Sequence, residues 1–122
     1  MFLDRWNNAC SPTSGRRVDA LLAPVMAHPS VPHNSCRWVG YTKVWNFLDY
    51  SALSLPVTTI SKDVDHAESY EPRNSLDDWN WNLYDPNSMH GHPIGLQVIG
   101  RRFEEEKMLA VAKVMEDLNN IK

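Results

Sequence analysis

The sequence predicts an α/β fold, and two observations on its periodicity support that prediction. Between positions 38 and 60, a helical pattern is followed by an apolar run typical of a strand. Between positions 94 and 118, an apolar strand pattern is followed by an amphipathic helix pattern. Helices and strands that alternate along a chain are typical of α/β proteins. With 122 residues, the chain is long enough for one ordinary domain and too short for two.

The stretch from Trp38 to Ile60 is expected to lie at the centre of this fold. Its first half places four large side chains at helical spacing on one face, namely Tyr41, Val44, Trp45 and Leu48. Asp49 to Ser51 are predicted to end this helix without glycine, because Asp and Ser side chains can bond neighbouring backbone groups. From Ala52 to Ile60 the residues are mostly apolar or β-branched, which favours a strand covered on both faces over a half-exposed one.

The other elements are predicted from local patterns along the chain. In order, they are the end of a helix over residues 1–9, a loop over 11–17, a buried strand over 18–25 that stops at or after Pro24, an irregular crossing over 26–37, a strand over 94–100 and a helix from Glu104. Proline ends the first strand because it has no N–H for the sheet ladder. Gly95 and Gly100 indicate close approach or the end of a strand. Acidic residues at the start of the last helix suit the positive end of its dipole.

The segment from Ser61 to Pro93 is predicted to be a long loop. No helical or strand period lasts eight residues in it, and polar residues and proline dominate. Its four aromatic residues are costly to leave in water, which argues against a disordered linker: Tyr70, Trp79, Trp81 and Tyr84. We therefore expect a loop that wraps over a surface and is held there by its tryptophans.

Composition and charge exclude several classes of protein. Hydrophobic residues make up 43% and charged residues 22% of the chain, which is not the composition of a disordered segment. A formal net charge of -3 argues against a general nucleic-acid partner, and no apolar run approaches the about 20 residues of a membrane span. Cys10 and Cys36 form no CxxC pair, so we expect reduced thiols. Since the first residues also lack a secretory signal pattern, a cytoplasmic location is expected.

Histidine is the residue type that most directly suggests a metal site here. His90 and His92 have the H-x-H spacing of some metal sites, but no carboxylate or cysteine lies nearby in a fixed pattern. His28, His33 and His66 are isolated in polar loops and are interpreted as surface residues. We therefore expect no metal and no cofactor.

Residue types alone define no catalytic constellation. The chain has no GxGxxG, Walker loop, GxSxG or HExxH motif. Asp77 and Asp78 are interpreted as a solvated loop turn rather than an acid–base pair. Arg101 and Arg102 are interpreted as a polar connection before a helix rather than an anion site.

Several separate motifs occur together in the order seen in one hydrolase family. They are the Asp-hydrophobic-Pro strand in GRRVDALLAPV, the helix in GYTKVWNFLDY, the Pro-Val-Thr strand, the Tyr-Asp-Pro turn and the LQVIGRR end. Over roughly residues 15–118, the sequence resembles the C-terminal part of fungal acetamidase-type enzymes of the amidase signature family, and more distantly fatty acid amide hydrolase. The resemblance implies a partial amidase-signature fold, with a few strands of a mixed sheet, flanking helices and a long aromatic-rich loop. Residues 1–122 would then be the C-terminal portion of a single, incomplete domain.

The resemblance also implies a reaction, but it assigns the catalytic residues of that reaction to a part of the family that this chain does not match. The family cleaves carboxylic amides with a Ser–cis-Ser–Lys triad and needs no metal or cofactor. Its lysine and both serines lie in a glycine- and serine-rich signature upstream of the matched part, and this chain has no such signature. No catalytic residue is therefore assigned, and we expect the chain to be inactive alone. Whether it is an enzyme at all is left open.

The resemblance assigns one wall of a substrate pocket to this region. Tyr41, Trp45 and Leu55 are the candidates for lining it, although an aromatic residue at helical spacing more often belongs to a core. Transamidating relatives that act on a glutaminyl group carry an acid at the position of Val39. An apolar residue there cannot pair with an ammonium group, so a full-length parent is expected to prefer small or apolar amides.

Three functions follow from these observations. The favoured one is a C-terminal portion of an amidase, for which a small amide is a partner only within a full-length parent. The second is a non-catalytic binding or regulatory module that pairs with a full-length relative through an open sheet edge. The third is a small enzyme or metal binder that uses His90, His92 and acids of the long loop. Exposed sheet edges also predict self-association and marginal stability of the isolated chain.

Overall fold

The structure, a computed structural model, describes residues 2–120 and contains four helices and three strands over that range. In chain order these are α1 (Phe2–Asn8), β1 (Leu21–Pro24), α2 (Gly40–Leu48), β2 (Ala52–Thr59), α3 (Ser75–Asn82), β3 (Pro93–Ile99) and α4 (Glu105–Asn119). The predicted α/β class is confirmed. Met1 of the first predicted helix and residues 121–122 of the predicted domain lie outside the described residues.

The three strands form one sheet in the order β1-β3-β2, and both pairings are antiparallel. Val98 in β3 lies opposite Leu22 on one side and Leu53 on the other. The central strand is therefore the last one along the chain, and its residues Val98 and Ile99 are fully buried. Among residues 2–120 no further strand pairs with β1 or β2, so each has an open outer edge.

Strand β2 departs from the prediction that it is covered on both faces. Leu53 and Leu55 are half-buried, whereas Ala52, Ser54 and Pro56 between and beside them are exposed. Helix α4 packs against β2 and β3. The prediction was wrong because it weighed the total apolar content of the run and overlooked that large apolar residues alternate with small or polar ones.

Helix α2 and the corner after it form where predicted, but the corner is held differently. Asp49 adopts the left-handed conformation with φ 56°, and its N–H and that of Tyr50 bond to carbonyls of the last helical turn. The side chains of this corner do not cap the helix. Asp49 lies 2.7 Å from Arg102 Nε, and Ser51 Oγ donates a hydrogen bond to Glu105 Oε1 at 2.8 Å. The corner is thus fastened to the connection between β3 and α4.

Helix α3 lies inside the segment predicted to be a loop. Asn74 Oδ1 accepts hydrogen bonds from the N–H groups of Leu76 and Asp77, each at 3.0 Å, which caps the helix start. The expectation of a loop turn at Asp77 and Asp78 was wrong, since both lie in the first helical turn. This helix was missed because its cap and its acidic first turn define it, while its apolar residues follow no sustained helical period.

Of the two tryptophans of this segment, Trp79 contacts another part of the chain, as expected, whereas Trp81 contacts Tyr70 within the segment. The ring of Trp81 lies 4.5 Å from that of Tyr70, and the guanidinium of Arg37 lies 5.1 Å above the ring of Trp79. Arg37 belongs to the irregular crossing that follows β1. The segment is therefore attached to that crossing through an aromatic contact.

The predicted strand and helix at the end of the chain are confirmed as β3 and α4. Met108 is buried under the sheet, and a Cβ on Gly100 would lie 2.5 Å from its Sδ atom, so a larger residue there would force the Met108 side chain to move. Arg101 holds α1 in place: its Nε donates to Asn7 Oδ1 at 3.0 Å, and its guanidinium lies over the ring of Trp6. No helix within residues 2–120 is long and apolar enough to cross a membrane.

Candidate functional site

A cavity of about 620 Å³ lies where β2 and β3 meet the segment that follows β1. Residues 24–29 form one wall, and parts of the two strands form the rest, including Leu55, Ile94 and Leu96. No Asp, Glu, Lys or Arg is among its lining residues. The cavity is therefore an apolar site with few polar groups, which is the usual character of a small-molecule site.

Gln97 fixes the wall of the cavity to the rest of the fold. Its side chain is 2% exposed, and Nε2 donates to the carbonyl of Pro24 at 2.8 Å and to that of Tyr41 at 2.9 Å. One amide group thus joins the central strand, the end of β1 and the first turn of α2. Both of its N–H donors are satisfied, as a buried amide requires.

Gly95 allows this wall to approach the sheet closely. A Cβ at this position would lie 3.3 Å from Val25 Cγ2 and 3.6 Å from the carbonyl oxygen of Leu55. A Cβ there would require Val25 to shift by a few tenths of an ångström, whereas its distance from the Leu55 carbonyl is that of an ordinary van der Waals contact. The prediction that Gly95 marks a close approach is confirmed.

His28 is the one residue in the cavity lining whose side chain titrates near neutral pH. The interpretation of His28 as a surface residue was wrong, because the residue is 8% exposed. Neither Nδ1 nor Nε2 has a hydrogen-bond partner in another residue among those described. Burial lowers the pKa of the ring, and its own backbone raises it by less, so the neutral imidazole is favoured. Its burial depends on strands that are distant in sequence, which no local pattern reveals.

The three residues predicted to line a substrate pocket lie in different surroundings. Leu55 lines the cavity. Tyr41 lines a neighbouring groove of about 320 Å³, which adjoins the cavity at Ala27 because Ala27 lines both. Trp45 stacks on Tyr50 with ring centroids 6.4 Å apart, in a cluster with Phe2. The structure therefore brings Leu55 and Tyr41 near the same wall and places Trp45 in an aromatic cluster.

The neighbouring groove is lined in part by Asp77, which was predicted from the sequence to lie in a loop turn. Asp77 Oδ2 accepts hydrogen bonds from the N–H of Arg73 at 2.9 Å and from the hydroxyl of Tyr70 at 2.8 Å. These two bonds hold the pKa of Asp77 below its ordinary value, and the same contact raises the pKa of Tyr70. Asp77 is thus an ionised carboxylate with a structural role, which does not suit proton transfer near neutral pH.

The histidines considered as metal ligands bind to protein groups. His92 Nδ1 lies 2.8 Å from Ser30 Oγ, and His90 Nδ1 accepts a hydrogen bond from the N–H of Lys62 at 3.3 Å. Within residues 2–120, no group of three or more His, Cys, Asp or Glu side chains is placed to hold a metal ion. Cys10 and Cys36 are free, exposed thiols.

Comparison with known proteins agrees with the fold and with the motifs. A model of the family described as Amidase matches residues 4–109. The chain is 53% identical to Amidase 2 of Gibberella moniliformis over 114 residues and 41% identical to an acetamidase of Aspergillus oryzae over 118 residues. These alignments cover 92% and 96% of the chain, which spans only 22% of the length of either relative.

A solved structure gives the same result. The fold matches a structure of fatty acid amide hydrolase with a TM-score of 0.76 and 31% sequence identity, covering 85% of this chain and 19% of that one. The fold class predicted for a part of an amidase-signature domain is confirmed by this match. The chain belongs to the amidase family.

Proposed function

We propose that this chain is the C-terminal portion of a carboxylic amide hydrolase of the acetamidase type, and that it supplies scaffold and one wall of the substrate pocket without the reactive centre. The observation that carries the proposal is that the chain spans 22% of its amidase relatives while keeping their fold over that part. The groups that attack an amide carbonyl would come from the remaining polypeptide.

The exposed surface supports this proposal. Large apolar side chains of α2, β1 and α4 are turned outward: Phe47 is 89% exposed, Leu118 64%, Val114 59%, and Leu22 and Leu109 56% each. A single exposed apolar side chain is normal on a folded domain, but five large ones on a chain of this size are typical of a surface that other protein covers. Together with the open edges of β1 and β2, they mark surfaces on which the remainder of an amidase would pack.

The contacts of the lysines also support the proposal that this chain lacks the reactive centre. Lys107 pairs with Asp19 at 3.1 Å, and Lys113 with Asp117 at 2.9 Å. In the described part of the chain, no lysine amine bonds a serine hydroxyl, which the family's Ser–Ser–Lys mechanism requires. We therefore propose that the isolated chain does not hydrolyse amides. We also propose that it needs neither metal nor cofactor, as the resemblance to the family implies.

The pocket assignment follows from the cavity and its adjoining groove. We assign Leu55 and Tyr41 to the substrate side of the wall. Trp45 is assigned to the same wall with less direct access, because it stacks on Tyr50. Val39 is 41% exposed at the start of α2. Since it offers no charge to an ammonium group, the substrate is assigned as a small or apolar amide.

Complementation tests the proposal directly. The purified 122-residue chain is assayed with acetamide alone, and again after co-expression with the Amidase 2 polypeptide shortened by the portion that this chain matches. No turnover alone and restored turnover together are expected. Turnover of acetamide by the chain alone, or no restoration by a stably associated pair, would contradict the proposal.

A second candidate function is a regulatory module that pairs with a full-length amidase. The open edge of β2 favours it, since the register leaves the N–H and C=O groups of Ala52 and Ser54 directed away from β3. The same edge supports self-association. Co-purification with a full-length relative, compared with size-exclusion chromatography of the chain alone, separates pairing from self-association. The free thiols of Cys10 and Cys36 support a cytoplasmic location for either function.

A further inference from the structure

We propose that two copies of this chain associate edge to edge through β2, antiparallel, with a two-fold axis at Leu53. The three-stranded sheet of each copy then continues into the sheet of the other. A contact that uses the same surface of both copies closes on itself, which is the commonest symmetry of protein dimers. The inference goes beyond the proposed function, because it concerns the chain by itself and fixes both the partner and the register of the contact.

The pairing of β2 with β3 decides which backbone groups of β2 face outward. The N–H of Gly100 donates to the carbonyl of Ser51 at 2.8 Å, which makes these two residues a hydrogen-bonded pair. Such pairs recur at every second residue of antiparallel strands, so the odd-numbered residues of β2 bond inward to β3 as far as the bulge. The even-numbered residues before the bulge direct their backbone groups outward: Ala52, Ser54 and Pro56.

Pro56 restricts the register in which a second copy can pair. It has no N–H, so Ala52 and Ser54 are the outward residues before the bulge that offer both a donor and an acceptor. With the axis at Leu53, Ala52 of each copy lies opposite Ser54 of the other, and all of these donors and acceptors are bonded. An axis at Ser54 would instead bring the ring of Pro56 against Ala52 of the other copy, and strands do not pair well across a proline.

The outer edge of β1 is a poorer surface for a second copy. Because β3 bonds its two neighbours with alternate residues, Leu22 and Pro24 of β1 face outward. Pro24 has no N–H, and its carbonyl already accepts a hydrogen bond from Gln97 Nε2 at 2.8 Å. Within Leu21–Pro24, Leu22 alone therefore offers both backbone groups to a partner. The edge of β2 is the longer and the more complete of the two.

Apolar side chains beside the axis would be covered by this contact. A groove of about 390 Å³ lies between β2 and α4, and Leu53, Leu55 and Leu109 are among its apolar lining residues. The axis is perpendicular to the sheet, so both copies of α4 lie on one face and each approaches the groove of the other. Leu109, which is 56% exposed in one copy, loses water there.

The charges of α4 suit an antiparallel partner. The helix begins beside Ser51, whose Oγ donates to Glu105 Oε1 at 2.8 Å, and near its end Asn119 lines the groove together with Pro56. Helix α4 thus runs in the direction of β2. The two-fold axis reverses this direction in the second copy, so the acidic first turn of one α4 lies beside the later part of the other, where Lys113 lines the groove. Opposite charges then face each other across the contact.

A disulfide tests the register. In chain that carries Cys10→Ser and Cys36→Ser, Leu53→Cys places two thiols across the axis at a non-hydrogen-bonded pair, where Cα atoms lie about 4.5 Å apart, within the reach of a disulfide. Leu55→Cys is the matched control, because it lies on the same face of β2 but opposite Ser51 of the other copy. Under mild oxidation, Leu53→Cys is expected to give at least about tenfold more covalent dimer than Leu55→Cys. No cross-link at position 53, or an equal one at position 55, would overturn the proposal.

Sedimentation equilibrium tests which edge is used. Ser54→Pro removes an outward N–H without removing a bond to β3, and it is expected to raise the Kd of the dimer at least about tenfold over that of the unchanged chain. Leu22→Pro makes the same change on the edge of β1 and is expected to leave the Kd unchanged. Circular dichroism verifies the fold of both variants, and the cross-linking result decides alone if Ser54→Pro does not fold. An unchanged chain that is monomeric at about 1 mM would overturn the proposal, as would a loss of dimer confined to Leu22→Pro.

The outcome for the proposed function is read separately. If the chain alone forms no cross-link at position 53 but restores acetamide turnover with the shortened Amidase 2 polypeptide, the inference fails and the proposed function stands. If the cross-link forms and complementation fails, the dimer stands and the proposed function falls.

Discussion

Gln97 donates a hydrogen bond of 2.8 Å to the carbonyl of Pro24, which is 73 residues earlier in the chain. The same Nε2 reaches the carbonyl of Tyr41 at 2.9 Å. Three elements that are distant in sequence thus share one buried amide. The wall of the candidate site depends on it, because the segment that carries His28 begins at Pro24.

Replacing Gln97 by Leu is expected to destabilise the chain by about 1–3 kcal/mol, since the carbonyls of Pro24 and Tyr41 lose the donor that joins them to the central strand. The urea midpoint of unfolding measures this loss. Asn46→Leu removes an amide from the exposed side of α2 and serves as the control, with an expected change within about 0.5 kcal/mol. Equal midpoints for the two variants would show that the shared amide contributes little.

Gly100→Ala is expected to cost about 1–3 kcal/mol, because the new Cβ would overlap the buried side chain of Met108. A double-mutant cycle with Met108→Ala tests the cause. In that background the alanine at position 100 should cost much less, and the coupling is read from thermal or urea unfolding of the four proteins. Additive effects would place the cost in the backbone instead.

The two neighbouring arginines should differ in their contribution to stability. Arg101→Ala is expected to cost about 2 kcal/mol, because the half-buried guanidinium donates to Asn7 and lies over Trp6. Arg102→Ala breaks an exposed pair with Asp49 and should cost less than about 1 kcal/mol. Urea unfolding compares them. A larger loss in Arg102→Ala would contradict this ranking.

Acid is expected to destabilise the chain in two separate pH windows. Burial lowers the pKa of His28 below its ordinary value of 6.5, so the unfolded chain binds that proton more readily, and stability falls as pH drops below 6.5. Asp19, Asp77 and Asp85 have pKa values below their ordinary 3.8, so their contribution is present above 3.8 and is lost at lower pH.

His28→Gln separates the two windows. The free energy of unfolding, measured from pH 7.5 to 5, should fall in the wild type and fall less in the variant, since glutamine does not titrate. His33→Leu should keep the wild-type slope. Identical slopes in wild type and His28→Gln would exclude His28 as the cause.

Elements with a strong apolar period could be predicted from the sequence. Helix α4 could be predicted because its apolar residues recur about every 3.6 residues, and strand β3 because its apolar residues form a nearly continuous run. Helix α3 was not, because its start is defined by the Asn74 cap rather than by an apolar face. The half-exposed character of β2 was visible in the alternation of Leu53 and Leu55 with smaller residues.

The candidate site was less accessible to prediction. Leu55 was proposed from the family resemblance and does line the cavity. The sequence predicts His28 at the surface, because it is isolated in a polar loop, and no local pattern indicates that it is buried. The cavity exists because the segment after β1 returns over β2 and β3, and a contact between such distant parts of a chain leaves no periodic trace in sequence.

The strand order has a consequence for synthesis on the ribosome. Strands β1 and β2 each pair only with β3 among the described residues, and β3 begins at Pro93. A nascent chain released before that point holds both outer strands without the one that joins them. Translation therefore produces the central strand after both outer strands. Termination of synthesis before β3 leaves two unpaired strands, which chaperones can bind.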